Sequence, residues 1–418
     1  MVLKTQKQIY DNVHGYIGLT EVELQVVDTP LFQRLRNVAQ LGPANLVYPG
    51  ATHTRFEHCL GTMFVMDQFL QHVRSGGAPI TEDPDTIQTM RLAALLHDIG
   101  HYPMSHTLEN VITRKMGGSS HTRFGTALLG GFYKELLSPY GIGKITAMIR
   151  GENRDPLGML LSSAFDADKS DYLLRDAYHT GVGYGRVGLQ RLIRNASFER
   201  GRIVFGKDDE AVESFLVGRY HMYRSVYHHK TVTAFYVMAS RIFERFVEEN
   251  VIRHPNDILG SADESEILAY DDHMVYSAMH GYARDGKDAQ LRELVRMFLL
   301  RKPLSAAFMN VIPEERERSQ ANLVVKEIEY DDRRRESFAA EAGVPAEWIF
   351  PAYVRDLGLV DDRTPIFVGG RGHGRKITDS HGLIMQVIGK RRLYDARIYV
   401  PRRYKSRIAG YMRGLDRV

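Results

Sequence analysis

The chain has 418 residues, 44% hydrophobic and 25% charged, with a formal net charge of +4. That length buries a large core, as one big domain or two to three smaller ones, and the mild basic excess is too small to imply nucleic acid on its own. The single cysteine, Cys59, excludes an intramolecular disulfide framework and fits a reducing cytosol; the opening MVLKTQKQIYDN has no secretory apolar core, and no apolar run approaches the ~20 residues that span a bilayer, so a cytoplasmic protein without a membrane partner is expected.

Residues 1–30 carry Gly15 and Gly18 and read as a turn or hairpin leading into a helix. Asp28-Thr29-Pro30 is a helix start, and the helix is predicted to run through LFQRLRNVAQL to Gly42. Apolar spacings of three and four predict further helices over 55–73, 85–99, 121–137, 157–179, 210–250 and 287–300. No long alternating pattern precedes about position 310, so this part is expected to be mostly α. After Pro313 the composition shifts. EERERSQ reads as a solvated stretch, while LVVKEIEYDD, IFPAYV, PIFVGG, LIMQVIG and ARIYVPRRY read as short strands, with GGRGHGRK as a loop. The expected division is a helical core over 1–310 and a smaller α+β region over 311–418.

Seventeen histidines fall largely in short clusters, the densest in RLAALLHDIGHYPMSH, residues 91–106. On a helix through 85–99, His97 shares a face with Ile87, Met90 and Ala94 and points into apolar surroundings. A histidine there is commonly a hydrogen-bonded core residue. Asp98 beside it is costly unless it is paired or meets a cation. Adjacent helical residues diverge by about 100°, so a metal site needs ligands from other helices. His58 in HTRFEHCLG and Asp168 in FDADKSDYLLRD are candidates. Imidazoles mixed with carboxylates suit a divalent transition metal (Mn, Fe, Co, Ni or Zn) better than calcium, and such an ion brings the pKa of a water toward neutrality. The alternative is a structural polar cluster.

The blocks DTPLFQRLRNVAQLG, VYPGATHTRFEHCLG, LLHDIGHYPMSH and DADKSDYLLRD occur in this order and contain an H…HD…D pattern. Together they resemble the deoxynucleoside triphosphate triphosphohydrolases among the HD-domain phosphohydrolases. The resemblance covers about residues 7–240 and is weak after 310; no SAM domain, such as the mammalian enzyme carries, precedes it in this sequence. It implies a mainly α fold with an HD-domain helical core, the C-terminal α+β region packing on it and serving oligomerisation.

By this resemblance His58, His97, Asp98 and Asp168 are the metal ligands, and His101, His106 and His121 line the reacting phosphate. His106 is implied as the general acid for the 5′-oxygen or as the group that positions water, with Glu109 behind it where the family has an aspartate. Arg55, Lys169 and Arg219 are assigned to the substrate phosphates, with Mg able to accompany the triphosphate. Tyr172 is assigned to sugar and phosphate, and Gln40 and Asp176 to the 3′-hydroxyl. Tyr223, Tyr227 and His228 are assigned to the base pocket, where Tyr223 and His228 depart from the mammalian residues. Lys7, Asp28, Gln33 and Arg36 match an activator site for GTP or a dNTP, with Arg191 and Lys230 serving a neighbouring nucleotide. Such sites lie between subunits, which implies a homotetramer or dimer.

The expected activity is metal-dependent cleavage of a dNTP to a deoxynucleoside and inorganic triphosphate, with nucleotide activation. One alternative is an HD-domain hydrolase of another nucleotide or phosphodiester. Another is a nucleic-acid-binding protein that uses the basic clusters at 333–335 and 390–407.

Overall fold

The computed structural model describes residues 3–75, 83–152, 156–199, 202–206, 209–261, 263–313, 319–355, 365–369, 374–379 and 393–415. The chain opens with the expected hairpin, β1 (Lys7–Asp11) paired antiparallel with β2 (Gly15–Leu19) in the register Lys7 to Leu19. Thr20 and Glu23 then form a reciprocal capping box that starts α1 (Glu21–Val27). Three helices frame the core: α2 (Arg55–Ser75) packs against both α3 (Pro84–Leu96) and α6 (Ala167–Thr180), with α4 (His106–Lys115) and α5 (His121–Phe132) between them in sequence. Leu92, Ala93, Ala94, Leu95 and Leu96 are all fully buried, so α3 has no polar face over its last turn. Further on, α7 (Asp209–Met222) and α8 (Lys230–Glu248) are joined by a π-helical turn over Tyr223–Tyr227. Then come α9 (Asp272–Asp285) and α10 (Ala289–Leu299).

The fold is thus mainly α, with strands concentrated toward the C-terminal end. A three-stranded antiparallel sheet places β9 (Leu393–Val400) between β5 (Ser305–Pro313) and β6 (Phe350–Arg355). A second sheet joins the hairpin of β3 (Ala196–Glu199) and β4 (Arg202–Phe205) to β7 (Phe367–Val368) and β8 (Arg375–Lys376), with β4 and β7 parallel. Strands from both sides of position 310 therefore pair with one another.

Several predicted elements are corrected. LVVKEIEYDD is not a strand but the body of α11 (Gln320–Tyr330), because Ala321, Val325 and Ile328 recur at helical spacing and are buried. It is followed by α12 (Asp332–Ala342), capped by Asp331. The helix begun at Pro30 is capped by Thr29 rather than Asp28 and stays α-helical only to Gln33, then tightens to 3₁₀ geometry over Arg34–Asn37 instead of reaching Gly42. The 157–179 segment divides into a 3₁₀ turn over Pro156–Leu160 and α6, where Asp166 caps the new start. ARIYVPRRY leaves its strand at Pro401 and enters the approach to α13 (Lys405–Leu415). LIMQVIG, most of EERERSQ and half of GGRGHGRK lie outside the described residues.

The helix before the His97-Asp98 pair ends at Leu96, three residues before the end at 99 that its apolar spacing predicts. A hydrogen-bonded turn follows, with the Ile99 N–H on Leu96 O and the His101 N–H on Asp98 O. Arg34 donates to the carbonyls of Ile99, His101 and Tyr270, which clamps this turn from behind. Gly100 lets it lie flat on α5: a Cβ there would stand 2.2 Å from Gly125 N and 2.3 Å from His121 O. Gly100→Ala is expected to destabilise the chain by about 1–3 kcal/mol through overpacking, measured by urea unfolding. An unchanged midpoint would show that this contact is not tight.

Candidate active site

Met104 and Ser105 both have left-handed backbone, φ 54° and 53°, which is strained for residues with a Cβ. The surroundings hold them there. Asp272 accepts the Met104 N–H at 2.6 Å and the Ala39 N–H at 3.1 Å. Ser105 Oγ donates to Ala39 O at 2.7 Å and accepts from Arg55 Nε at 2.9 Å. The bend they create turns His106 back toward His101, ring centres 4.9 Å apart.

Two groups of potential ligands result. The first is His58, His97 and Asp168, which offer atoms within 4.8 Å of one another. His58 Nε2 lies 3.1 Å from Asp168 Oδ1, and His97 Nε2 lies 3.7 Å from the same oxygen. The His97 ring is fixed by Nδ1 on Ala94 O at 2.8 Å, which leaves Nε2 buried without a hydrogen-bond partner. Burial works against a charge on His58, but hydrogen bonds to Asp168 and Asp171 outweigh it and push its pKa up to about 10. The carboxylates around His58 thus favour positive charge at this point, which a divalent cation also supplies. Asp98 lies beside the group, 3.4 Å from His97 Nε2 and 3.5 Å from His58 Nε2, through different oxygens. It is also paired with Arg55 at 2.5 Å, so this arginine reaches a candidate metal ligand directly.

The second group is His101, His106, Glu109 and His121. Glu109 bridges two rings, accepting from His106 Nδ1 at 2.8 Å and from His121 Nδ1 at 2.7 Å, and also accepts the His121 N–H at 2.9 Å. The longer carboxylate therefore still reaches His106. Burial alone would raise the Glu109 carboxyl, but its two imidazole partners hold it far below the usual range, and so ionised. His101 stacks on His121 at 4.1 Å, and burial followed by the Arg55 charge holds it well below the usual imidazole pKa.

Both groups open on a cavity of about 930 Å³ lined by Gln40, Arg55, His97, Asp98, Asp168 and Lys169, by His101, His106 and His121, and by the aromatic wall of Tyr172, Tyr223, Tyr227 and Tyr236. Asp176 also lines it, accepting from Tyr227 OH at 2.6 Å and from His53 Nε2 at 2.7 Å. Gln40 Oε1 is buried with no partner. Lys169 Nζ is held by Asp166 at 2.8 Å, and Arg219 stacks on Tyr223 at 5.5 Å without lining the cavity itself. His228 also lines the cavity, its backbone carbonyl accepting from Arg397 Nη2 at 2.7 Å.

Burial, then the Arg397 charge, push His228 down to about 4. The unfolded chain binds its proton near pH 6.5, so the neutral native ring contributes stability that is present above that pH and lost as pH falls toward 4. The loss amounts to about 3 kcal/mol for this group, from ~1.36 kcal/mol per unit. His228→Gln should therefore unfold with a shallower acid limb between pH 6.5 and 4. Urea melts at pH 7 and 4.5 that show an unaltered difference would refute this.

The expected activator residues stand on several elements. Arg36 Nε donates to Gln33 Oε1 at 2.7 Å and its guanidinium lies 3.5 Å over Phe56, while Gln33 Nε2 donates to Val27 O beside Asp28. Lys7 stands on β1, Arg191 on the helix Leu189–Asn195, and Lys230 at the start of α8. Among the described residues of the basic clusters, Arg334 pairs with Glu327, Arg335 with Asp332, Arg397 with Asp395 and Arg403 with Glu293.

The residues that the sequence reading missed are the supports. His58 Nδ1 bonds Asp171 at 2.7 Å, Asp171 also bonds His14 at 2.6 Å and Arg175 at 2.9 Å, and Arg175 reaches Asp11 at 2.8 Å. All five are buried or nearly so. Asp171 follows Asp168 by three residues and precedes Arg175 by four, so helical spacing alone marks this face.

An HD domain matches residues 55–176, and an HD-associated region matches 187–350. With the clustered histidines and carboxylates, this defines an HD-domain phosphohydrolase. Part of the chain is similar to known deoxynucleoside triphosphate triphosphohydrolases. It is 28% identical over 214 residues to the human deoxynucleoside triphosphate triphosphohydrolase SAMHD1, 43% of this chain and 34% of that protein. A protein of Methanocaldococcus jannaschii is 40% identical over 249 residues, 58% of this chain and 50% of its own. The chain thus spans about half or less of these two curated relatives. The solved structure of a phosphohydrolase from Bacteroides thetaiotaomicron superposes with a TM-score of 0.77 at 25% identity, covering 94% of this chain and 99% of that one. Among the described residues no helix is long and apolar enough to cross a membrane.

Proposed function

We propose that this protein is a metal-dependent dNTP triphosphohydrolase that releases a deoxynucleoside and inorganic triphosphate. The observation that carries the reading is that one cavity brings together a metal-competent group, a carboxylate-bridged histidine pair and a tyrosine-rich wall. His58, His97, Asp98 and Asp168 would hold a divalent ion of the Mn, Fe, Co, Ni or Zn class. When bound, that ion supplies Lewis-acid polarisation of the phosphate and a water made acidic near neutral pH.

The chain's own groups do the rest. Glu109 keeps a hydrogen on His106 Nδ1, which leaves the Nε2 side for proton transfer at the 5′-oxygen. Arg55 and Lys169 supply positive charge beside the ligand set, and Arg219 reinforces it through Tyr223. Tyr172 and Tyr227 stand with ring centres 6.2 Å apart and restrict the space beside Asp176, which favours a sugar without a 2′-hydroxyl. Activation by GTP or a dNTP at Lys7, Asp28, Gln33 and Arg36, and a homo-oligomer bridged through that surface, complete the reading, with the C-terminal region past 310 packing on the core to serve assembly.

The test is an assay of the purified chain with Mn²⁺ against every dNTP and NTP, singly and in pairs, with products identified. Triphosphate plus deoxynucleoside is expected. Orthophosphate or pyrophosphate as the sole phosphate product would reject this reading in favour of another phosphohydrolase.

A further inference from the structure

The cavity does not end at the histidines. Past His106 it follows one face of α4, through Thr107, Asn110 and Val111, to Arg114 and Lys115. At a rise of 1.5 Å per residue, Arg114 lies about 12 Å along the helix from His106. The facing wall is built by Arg241 and Glu244 of α8 and by Arg335 of α12.

These cations outnumber the carboxylates that hold them. Glu244 serves two at once, Lys115 at 2.7 Å and Arg241 at 3.0 Å. Asp332 likewise serves Arg335 at 2.8 Å and Lys115 at 3.5 Å. Arg114 has Glu329 at 3.1 Å, but burial pushes that carboxyl up to about 7, so it is only partly charged at neutral pH. Arg335 is 9% exposed, and its Nε has no hydrogen-bond partner. Burial, then the nearby Arg241 charge, lower the Arg335 pKa. Two guanidiniums held close in a water-poor wall, with too little negative charge between them, favour an added anion. A purely structural ion cluster has no need to line a cavity continuous with the histidines.

We propose that this far end of the cavity is a second anion site, which takes a phosphate or short polyphosphate group through Arg114, Lys115, Arg241 and Arg335. The site does not depend on which phosphate ester is hydrolysed next to the His-Asp group. Its ligand has two sources of the same chemistry: free inorganic polyphosphate, or the tail of a nucleotide already in the cavity.

The probe is sodium tripolyphosphate, titrated by calorimetry into the metal-loaded full chain. Two sites per chain are expected. Arg114→Gln/Arg241→Gln should lose one of them or weaken it by at least tenfold, while the other is kept. Arg114 is half exposed, so Arg114→Gln alone, with a thermal melt matching the unmodified chain, serves as the variant that is sure to fold. A single site in the unmodified chain, or two undiminished sites in the double variant, overturns the proposal. With a nonhydrolysable dNTP analogue present, loss of the second site identifies the nucleotide tail as its ligand, and its persistence identifies the free anion; either result requires that the site exists. The readout is stoichiometry rather than turnover, so it stands or falls apart from the dNTP reading.

Discussion

Asp168→Ala is expected to remove bound divalent metal and to lower kcat by about 10³-fold or more, because Lewis-acid stabilisation of the transition state is worth several kcal/mol. Asp168 Oδ1 is the atom that His58 and His97 both face, at 3.1 and 3.7 Å. Without it two imidazoles remain on that side, and the nearest carboxylate, Asp98, is engaged with Arg55. The contrasting variant is Asp171→Asn. Asp171 orients His58 from the far side at 2.7 Å and does not line the site's cavity, so metal affinity should fall by about 10–100-fold while saturating metal restores turnover. Because Asp171 also pairs with His14 and Arg175, His14→Gln offers a gentler version that keeps the Arg175 pair. Metal content by elemental analysis and kcat at rising Mn²⁺ separate the two classes. If Asp168→Ala keeps both its metal and its rate, the assignment of the ligand set fails.

The parts legible in the sequence were those written in short-range spacing. His97-Asp98 and the trailing histidines sit within ten residues, and α2, α3 and α6 each show apolar recurrence at three and four. The structure brings His58, His97, Asp98 and Asp168 together, so the expected cluster is observed even though its role is a proposal. What the sequence hid depends on contacts between distant residues. His14 and Asp171 are 157 positions apart, and Met104 and Asp272 are 168 apart. No local pattern announces such pairs, because a buried carboxylate reads the same in sequence whether it meets an arginine, an amide or a metal. The C-terminal region shows the reverse problem. LVVKEIEYDD offers β-branched residues to a strand and a buried face to a helix, and packing of that face against β6 decided for the helix. The end of α3 at Leu96 was also hidden. It depends on Arg34 and on the close approach of Gly100 to Gly125, neither of which is local to the histidine pair.

The second large effect falls on Glu109. An ionised carboxylate can only accept, so its contacts at 2.8 and 2.7 Å require a hydrogen on Nδ1 of both His106 and His121. His106 Nε2 is then available for proton transfer, while His121 Nε2 meets Thr122 Oγ1 at 3.2 Å. Glu109→Gln keeps the size but puts an amide NH₂ against one of the two rings. That ring must turn its tautomer or lose the bond, and the negative charge that stabilises an imidazolium is gone. General acid-base catalysis contributes about 10²–10⁴-fold, so kcat should fall within that range while KM and metal content change little. Glu109→Asp separates reach from charge. It lacks one methylene, so it cannot span both rings and should keep only part of the rate. The pH profile supplies a readout that a structural role would not move. With the carboxylate gone, a protonated His106 is less stable, so the limb of kcat assigned to the acid should shift to lower pH. An unshifted profile with an undiminished kcat in Glu109→Gln would remove the histidine-carboxylate group from the reaction and leave the His58, His97 and Asp168 set to act alone.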